Sequence, residues 1–322
     1  MSGFNMNEIK KRTELFFENI CGVVIDNSYD PYMLNVYKKY VKEHHINYLI
    51  SQDNDLSYLK FFPQIEFIEI NDESENIEYL YTLKELKGIK IHTNILNKLD
   101  LNLFSKLEYV YLIINEKFNF NNLLNIKYLY IQFYNEKSIL NICHLKQLKK
   151  LTLEYGNKIE SLKGIENLIQ LNSIKIDYCK KLKDISNLII LPNLKELEIL
   201  QSNQIENIEK VFMKLTNIEK VIIFSKTGSS KKAITSLKFI KNLKHLKVFQ
   251  TDYIIKDGDL TPLMNLNDTC ILTWRKYYNM KDKDLPHESV VYRVDNLRGI
   301  TKKLTEIENG KENKNIIWFD EL

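Results

Sequence analysis

Hydrophobic positions in the middle of the chain follow a pattern that is written twice between residues 148 and 200. Each copy has two apolar residues two positions apart, followed by five more at steps of three. In the first copy these residues are Leu151, Leu153, Ile159, Leu162, Ile165, Leu168 and Leu171. A spacing of two predicts a short strand with one buried face, and a spacing of three predicts a tight 3₁₀-like turn. One such strand and turn would make one coil of a solenoid.

The strand part of this unit, LxxLxL, recurs over about two-thirds of the chain. Its copies begin at Ile65, Leu86, Leu107, Ile126, Leu148, Leu171, Leu194, Ile218 and Leu243, and a weaker tenth begins at Asn267. Successive copies start 19 to 25 residues apart. This regularity indicates an array in which each coil packs against its neighbours.

The unit resembles the leucine-rich repeat, most nearly the short bacterial internalin-like type. The resemblance implies an α/β solenoid, a horseshoe with a parallel β-sheet on the concave face, 3₁₀ or short helical segments on the convex face, and α/β caps. The family favours Asn or Cys three residues after the last strand position, where the side chain bonds the backbone of neighbouring coils. Asn94, Asn115 and Cys179 follow this rule, whereas six other copies depart from it, so we expect local irregularity.

The repeats divide the chain into three predicted parts. Residues 65–272 form the array of about ten repeats, and residues 1–64 and 273–322 form caps that cover its apolar ends. In the first cap we predict a helix over 5–20, a strand at 23–25, a helix starting at Asp30 and Pro31, and a strand over 46–51. A separate functional domain in residues 1–64 is the alternative. The polar segment 224–233 predicts a loop.

Composition narrows the class of protein. The 322 residues are 44% hydrophobic and 27% charged, and the net charge of +4 is small, so no strong attraction to nucleic acid follows. Four scattered cysteines, Cys21, Cys143, Cys179 and Cys270, form no CxxC pair and predict buried thiols in a reducing compartment. Neither an export signal nor an apolar run of about 20 residues is evident. We therefore expect a cytoplasmic monomer that contacts no membrane.

The variable positions of LxxLxL face away from the leucines and would form the concave surface. Aromatic residues concentrate there and just beyond the strands, and the predicted partner-binding set is Phe67, Tyr109, Tyr111, Tyr128, Tyr130, Phe133, Tyr155 and Tyr178. The four tyrosines 109, 111, 128 and 130 should form a two-by-two block, because adjacent strands lie about 4.8 Å apart. Tyrosine is enriched at interface hot spots. The alternative is a structural ladder of stacked rings without a partner.

The sequence contains few features that are typical of an enzyme, a metal site or a cofactor site. The six histidines show no HExxH motif and no spacing of a nucleophile with its base, and only nine glycines are present. We therefore predict no catalytic residues, no metal and no cofactor. The predicted function is an intracellular module that binds one protein, in a narrower form an immunity protein that neutralises a polymorphic toxin. The alternatives are an internalin-like adhesin, a host-directed effector and a regulatory scaffold.

Overall fold

The computed structural model describes residues 22–286 apart from 27, 124, 207, 226–231, 272–274 and 282–283. The helix predicted over 5–20, the centre of the predicted loop and most of the predicted C-terminal cap lie outside the described residues. The chain forms two compact units. The first contains the residues up to 133 together with 147–151, and the second contains 134–146 and the residues from 152 onward.

The first unit is built from parallel strands that are hydrogen-bonded in chain order. The strands are β1 (Gly22–Ile25), β2 (Tyr48–Ser51), β3 (Phe67–Glu69), β4 (Gly88–His92), β5 (Tyr109–Ile113) and β6 (Tyr128–Gln132). The connections carry the α-helices α1 (Pro31–Glu43) and α2 (Thr93–Leu96), and the 3₁₀ helices Ser57–Phe61, Ile77–Thr82, Leu101–Leu103 and Phe120–Asn122. Strand β7 (Lys150–Glu154) begins in this unit and ends in the second.

The second unit repeats this construction. Its strands are β8 (Ser173–Asp177), β9 (Glu196–Leu200), β10 (Lys220–Phe224), β11 (Ala233–Ile234), β12 (Val248–Thr251), β13 (Ile254–Ile255) and β14 (Asp268–Ile271). Strands β8, β9, β10, β12 and β14 pair in parallel in that order, and β11 pairs with β13 in a separate small sheet. The connections carry α3 (Ile208–Phe212) and the 3₁₀ helices Leu140–Ile142, Ile165–Asn167, Ser186–Ile190, Leu237–Asn242 and Thr261–Asn265.

The apolar positions of the repeat form the core of each unit. In β8, Ile174 and Ile176 have no exposed surface, and in β5 the same holds for Val110 and Leu112. Because side chains alternate between the two faces of a strand, the residues between them lie on the opposite face. Parallel strands in chain order, joined mainly by 3₁₀ helices, confirm the predicted leucine-rich repeat solenoid.

Polar side chains that follow the strands bond the backbone of neighbouring coils, as predicted. Asn94 Nδ2 donates to the carbonyl of Asp72 at 2.8 Å, and Asn115 Oδ1 accepts from the backbone N–H of Asn94 at 3.1 Å. In the second unit the Cys179 thiol lies 3.7 Å from the carbonyl of Leu153. Each of these contacts gives a backbone group a side-chain partner from another coil. Burial raises the pKa of Cys179 to about 12, so this thiol stays protonated.

The N-terminal elements follow the predictions where they are described. Helix α1 begins at Pro31, and the Asp30 side chain accepts from the backbone N–H of Tyr32 at 2.9 Å. Strands β1 and β2 pair in parallel, and β2 pairs with β3. The 3₁₀ helix Ser57–Phe61 follows β2, so β2 has the strand-and-turn composition of a repeat. The boundary at residue 64 stays a prediction.

Two of the predicted repeat registers are wrong. Lys220 of β10 pairs with Val248, so the ninth repeat begins at Leu246 rather than at Leu243. Val248 in turn pairs with Asp268, which moves the start of the tenth from Asn267 to Leu266. The segment after Leu243 reads LKHLKVFQT and contains two overlapping matches to the strand pattern. The second match forms the strand because it buries Phe249, which has no exposed surface.

Candidate functional site

The tyrosine block, defined as Tyr109, Tyr111, Tyr128 and Tyr130, lies on the face of β5 and β6 opposite the core. Tyr109 pairs with Tyr128, and Tyr111 with Tyr130, in the register of the two strands. The rings of the first pair stack at 4.2 Å between centroids with an interplanar angle of 3°, and those of the second pair at 4.0 Å and 12°. All four side chains are half-buried. The two-by-two arrangement therefore forms as the sequence predicted.

The aromatic surface continues toward the N-terminus through Phe67, which belongs to the predicted partner-binding set. Phe67 packs edge-on against Tyr109 with centroids 5.8 Å apart, although β4 lies between their strands. The position between them in the register is Gly88, which has no side chain to separate the rings. Phe67 also belongs to a buried cluster with Tyr48 and Ile50. Phe67 is only 8% exposed, so it supports Tyr109 from the side.

Charged residues beside the tyrosine block are paired with one another. Lys90 Nζ lies 3.1 Å from a carboxylate oxygen of Glu69 and 4.9 Å from the centroid of the Tyr111 ring. Lys87 and Glu66 form a second ion pair at 2.8 Å. Burial and the neighbouring Tyr128 hydroxyl raise the pKa of Tyr109, so its phenol is neutral near pH 7. The block therefore presents neutral aromatic surface beside a rim of compensated charge.

Phe133 lies directly after β6 and is 44% exposed. Its backbone has a φ of 64°, a left-handed conformation that is uncommon for residues other than glycine. In the second unit Tyr155 and Tyr178 occupy the corresponding position after β7 and β8, with φ values of 51° and 50°. The repeat thus places an aromatic residue in the same strained conformation after three successive strands.

Tyr155 and Tyr178 are brought together within the second unit. Their ring centroids are 5.0 Å apart with an interplanar angle of 32°, so the rings are tilted rather than stacked. Lys180 Nζ lies 5.6 Å from the centroid of the Tyr178 ring. Both rings are half-buried. They form a single pair rather than a block of four, and each tyrosine directly follows an acidic residue in the sequence.

The acidic pair, defined as Glu154 and Asp177, is the feature that sequence reasoning missed. Both residues end their strands on the face opposite the core, and they are 9% and 3% exposed. Asp177 Oδ1 is buried without a hydrogen-bond partner, and Asp177 Oδ2 lies 3.8 Å from Lys175 Nζ. Burial is the main cause that raises the pKa of Asp177 to about 6, with a further contribution from the negative charge of Glu154. Writing out the seventh position of each repeat, beside the third and fifth, would have found this pair.

Two polar pairs on this face, next to the acidic pair, are joined by direct hydrogen bonds. Lys220 Nζ bonds a Glu198 carboxylate oxygen at 2.6 Å, and Ser173 Oγ donates to Glu196 Oε2 at 3.0 Å. Beyond them an apolar cluster of Leu200, Ile222 and Phe224 covers the same face of β9 and β10. Asp177 is therefore distinguished from its neighbours on these strands, because one of its oxygens lacks a partner.

Over the described part of the chain, no group of three or more His, Cys, Asp or Glu side chains could hold a metal ion. No helix among the same residues is both long and apolar enough to cross a membrane. Cys143, Cys179 and Cys270 are free thiols, and the last two are buried. The described residues place aromatic rings and carboxylates on the face opposite the core.

No protein-family model matches the chain, and no curated protein matches it. A leucine-rich repeat protein of Leptospira interrogans is 24% identical with a TM-score of 0.49 over 68% of this chain, which spans 58% of that protein's length. Internalin C2 from Listeria monocytogenes is 19% identical with a TM-score of 0.40, covering 66% of this chain and 81% of that one. TLR13 in its complex with ssRNA13 is 17% identical with a TM-score of 0.46, covering 74% and 41%.

Proposed function

We propose that the chain is a protein-binding module and that its partner contacts the tyrosine block of the first unit. The observation that carries this proposal is the pair of parallel ring stacks, half-buried on the face opposite the core. Tyrosine buries a large area with few torsions to immobilise, which is why it is enriched at the centres of protein interfaces. A neutral aromatic surface with a charged rim is the composition expected of such a centre.

The stacking also lowers the cost of binding. Tyr109 is held between Phe67 and Tyr128, and Tyr111 lies between Lys90 and Tyr130. Side chains that are already held lose less conformational entropy when a partner arrives. The ion pair of Lys90 with Glu69 lies at the rim, where charge affects association rate and specificity more than affinity.

A structural ladder of rings would share this geometry. Stacked cross-strand aromatic pairs stabilise a sheet by about 0.5–1.5 kcal/mol without any partner. The two explanations differ in what removal of the rings would do. A ladder affects only folding, whereas a binding surface affects the capture of a partner by a protein that is still folded.

The test compares three immobilised proteins in lysate of the source organism, with bound proteins identified by mass spectrometry. They are the wild type, a variant with Tyr109, Tyr111, Tyr128 and Tyr130 changed to Ala, and a matched control with Tyr29 and Tyr32 changed to Ala. The control tyrosines are 81% and 73% exposed and lie outside the tyrosine block. We expect a partner that the wild type and the control capture and the block variant loses.

With the partner purified, the block variant should bind about 1,000-fold more weakly, since two hot-spot residues contribute about 2 kcal/mol each. Circular dichroism and melting curves must show that the variant is folded. A partner that the folded block variant binds normally would contradict the proposal. Nuclease treatment of the lysate serves as a second control, because a capture that depends on nucleic acid would contradict a protein partner.

The narrower form of the proposal is that the partner is a toxin and the chain is its immunity protein. The purified partner would then arrest growth when expressed alone, and co-expression of this chain would restore growth. The block variant, expressed to the same level, should fail to restore growth while the Tyr29 and Tyr32 control succeeds. A partner without toxicity would leave the binding proposal in place and remove the immunity role.

A further inference from the structure

The acidic pair has no role in the function proposed above, and its geometry is unusual for a buried position. Ser173, Lys175 and Asp177 alternate with the buried Ile174 and Ile176 along β8, so they lie on the face opposite the core. Asp177 Oδ1 is buried and has no hydrogen-bond partner. A buried carboxylate oxygen without a donor is costly, and such groups in folded proteins call for an explanation.

Glu154 lies beside Asp177 on the neighbouring strand. The backbone N–H of Tyr178 donates to the carbonyl of Leu200 at 3.1 Å, where Asp177 and Leu200 are partners in the register of β8 and β9. The equivalent bond one coil earlier runs from Tyr155 N–H to the carbonyl of Asp177 at 3.0 Å. Glu154 is therefore the register partner of Asp177, just as Asp177 is the register partner of Leu200. Adjacent strands are about 4.8 Å apart. Two carboxylates that are at least nine-tenths buried thus lie side by side.

Lys175 is the cation recorded beside Asp177, and it is poorly placed. Lys175 Nζ is 3.8 Å from Asp177 Oδ2, beyond hydrogen-bond distance, and its side chain is 28% exposed. By contrast, Lys220 approaches Glu198 to 2.6 Å one strand further along. The residues that follow the acidic pair are Tyr155 and Tyr178, whose rings lie 5.0 Å apart. Carboxylates beside aromatic faces are the surroundings that a guanidinium group favours.

We propose that the acidic pair and the rings of Tyr155 and Tyr178 form a binding site for an arginine side chain of a partner protein. The guanidinium replaces the Lys175 ammonium beside Asp177, donates to Asp177 Oδ1 and packs against an aromatic ring. Arginine fits better than lysine because its planar donors reach two carboxylates and its flat faces stack on rings. All residues of this site belong to the second unit, so the proposal is tested independently of the one for the tyrosine block.

The test titrates the full chain with N-acetyl-arginine amide and follows tyrosine-ring NMR signals, with Tyr155 and Tyr178 assigned from their Phe variants. The wild type should show saturable shifts of both rings. N-acetyl-citrulline amide has the same shape without the charge and should cause none. Asp177→Asn should weaken arginine binding about tenfold or more, since a charged hydrogen bond is lost. Lys175→Met should strengthen it, because the competing cation is removed.

Glu206→Gln is the matched control, because it removes the same charge from an exposed position of the same unit. It should bind arginine like the wild type. Glu154→Gln provides a second variant if Asp177→Asn does not fold. Absence of saturable shifts in the wild type, equal binding of citrulline, or unchanged binding by the folded Asp177→Asn variant would each overturn the proposal. Shifts produced by calcium chloride and not by arginine would overturn it in favour of a metal site.

Discussion

The two units are built from the same repeat, and they differ in the side chains that they place on the face opposite the core. In the first unit that face carries two tyrosine stacks, and the lysines beside them lie within about 3 Å of carboxylates. In the second unit the same face carries two buried carboxylates, one of which has an oxygen without a partner. The repeat constrains the inward positions only, so the outward positions of successive coils are free to carry different chemistry.

This difference has opposite consequences for stability. Stacked rings remove apolar surface from water and stabilise the first unit even without a partner. A buried, ionised Asp177 destabilises the second unit, because burial removes hydration from the carboxylate and its Oδ1 has no hydrogen-bond partner. Binding sites commonly retain such unfavourable groups, since the ligand rather than the fold satisfies them. Mutations should therefore act in opposite directions on the two faces.

The largest effect is expected from a charge in the core of either unit. Leu151, in the first unit, and Ile174, in the second, have no exposed surface. Leu151→Asp and Ile174→Asp should each destabilise their unit by several kcal/mol, because an unpaired charge would be buried in place of an apolar side chain. Urea unfolding followed by circular dichroism measures the loss.

Matched controls for these two substitutions place the same charge one or two positions away on an exposed site. Lys150→Asp and Asn172→Asp change side chains that are exposed in the structure. They should shift the free energy of unfolding by less than about 1 kcal/mol. A wild-type unfolding curve for Leu151→Asp or Ile174→Asp would show that the register of the repeat is wrong.

A smaller effect, of opposite sign, is expected at Asp177. Its pKa is raised from 3.8 to about 6, so the folded state favours the neutral carboxyl and loses stability as the pH rises from about 4 to about 6. Asp177→Asn keeps the shape and removes the charge. At about pH 7.5 the variant should be more stable than the wild type by about 3 kcal/mol, since the pKa is raised by about two units and one unit corresponds to about 1.4 kcal/mol.

The gain from Asp177→Asn should nearly vanish at about pH 3.5, where the wild-type carboxyl is protonated in the folded state and mostly protonated in the unfolded state. Urea unfolding at the two pH values measures it. Glu154 and Lys175 face Asp177 from β7 and β8, and Glu198 faces it from β9, where it is bound by Lys220. An equal effect at both pH values would show that the charge of Asp177 is not its cause.

The sequence predicted the core and the tyrosine block for the same reason. Both depend on side-chain alternation within a strand and on a constant step between coils, so Tyr109 next to Tyr128 follows once the repeat is aligned. The step between coils did not predict the register after β10, because the paired residues Lys220 and Val248 are 28 positions apart. The longer connection is compatible with either of the two overlapping matches to the strand pattern, and packing determines which one is buried.

The position of the acidic pair follows from the repeat, but its burial could not be predicted from composition or spacing. Glu154 and Asp177 read as ordinary solvated carboxylates, because acidic residues at variable strand positions are usually exposed. Their burial depends on how the coils pack, and no short motif indicates the left-handed backbone of the tyrosines that follow them. Likewise, the contact between Phe67 and Tyr109 depends on the missing side chain of Gly88 between them.

The smallest expected effect is the coupling between stacked rings, and it compares the two units directly. Double-mutant cycles with Tyr→Leu substitutions at Tyr111 and Tyr130 should give a coupling free energy of about 1 kcal/mol, because the rings overlap at 4.0 Å and 12°. The same cycle at Tyr155 and Tyr178, tilted at 5.0 Å and 32°, should give a clearly smaller value. Equal coupling free energies in the two units would show that ring geometry does not distinguish their outward faces. The rings of the second unit would then form a stacked ladder to the same degree as those of the first.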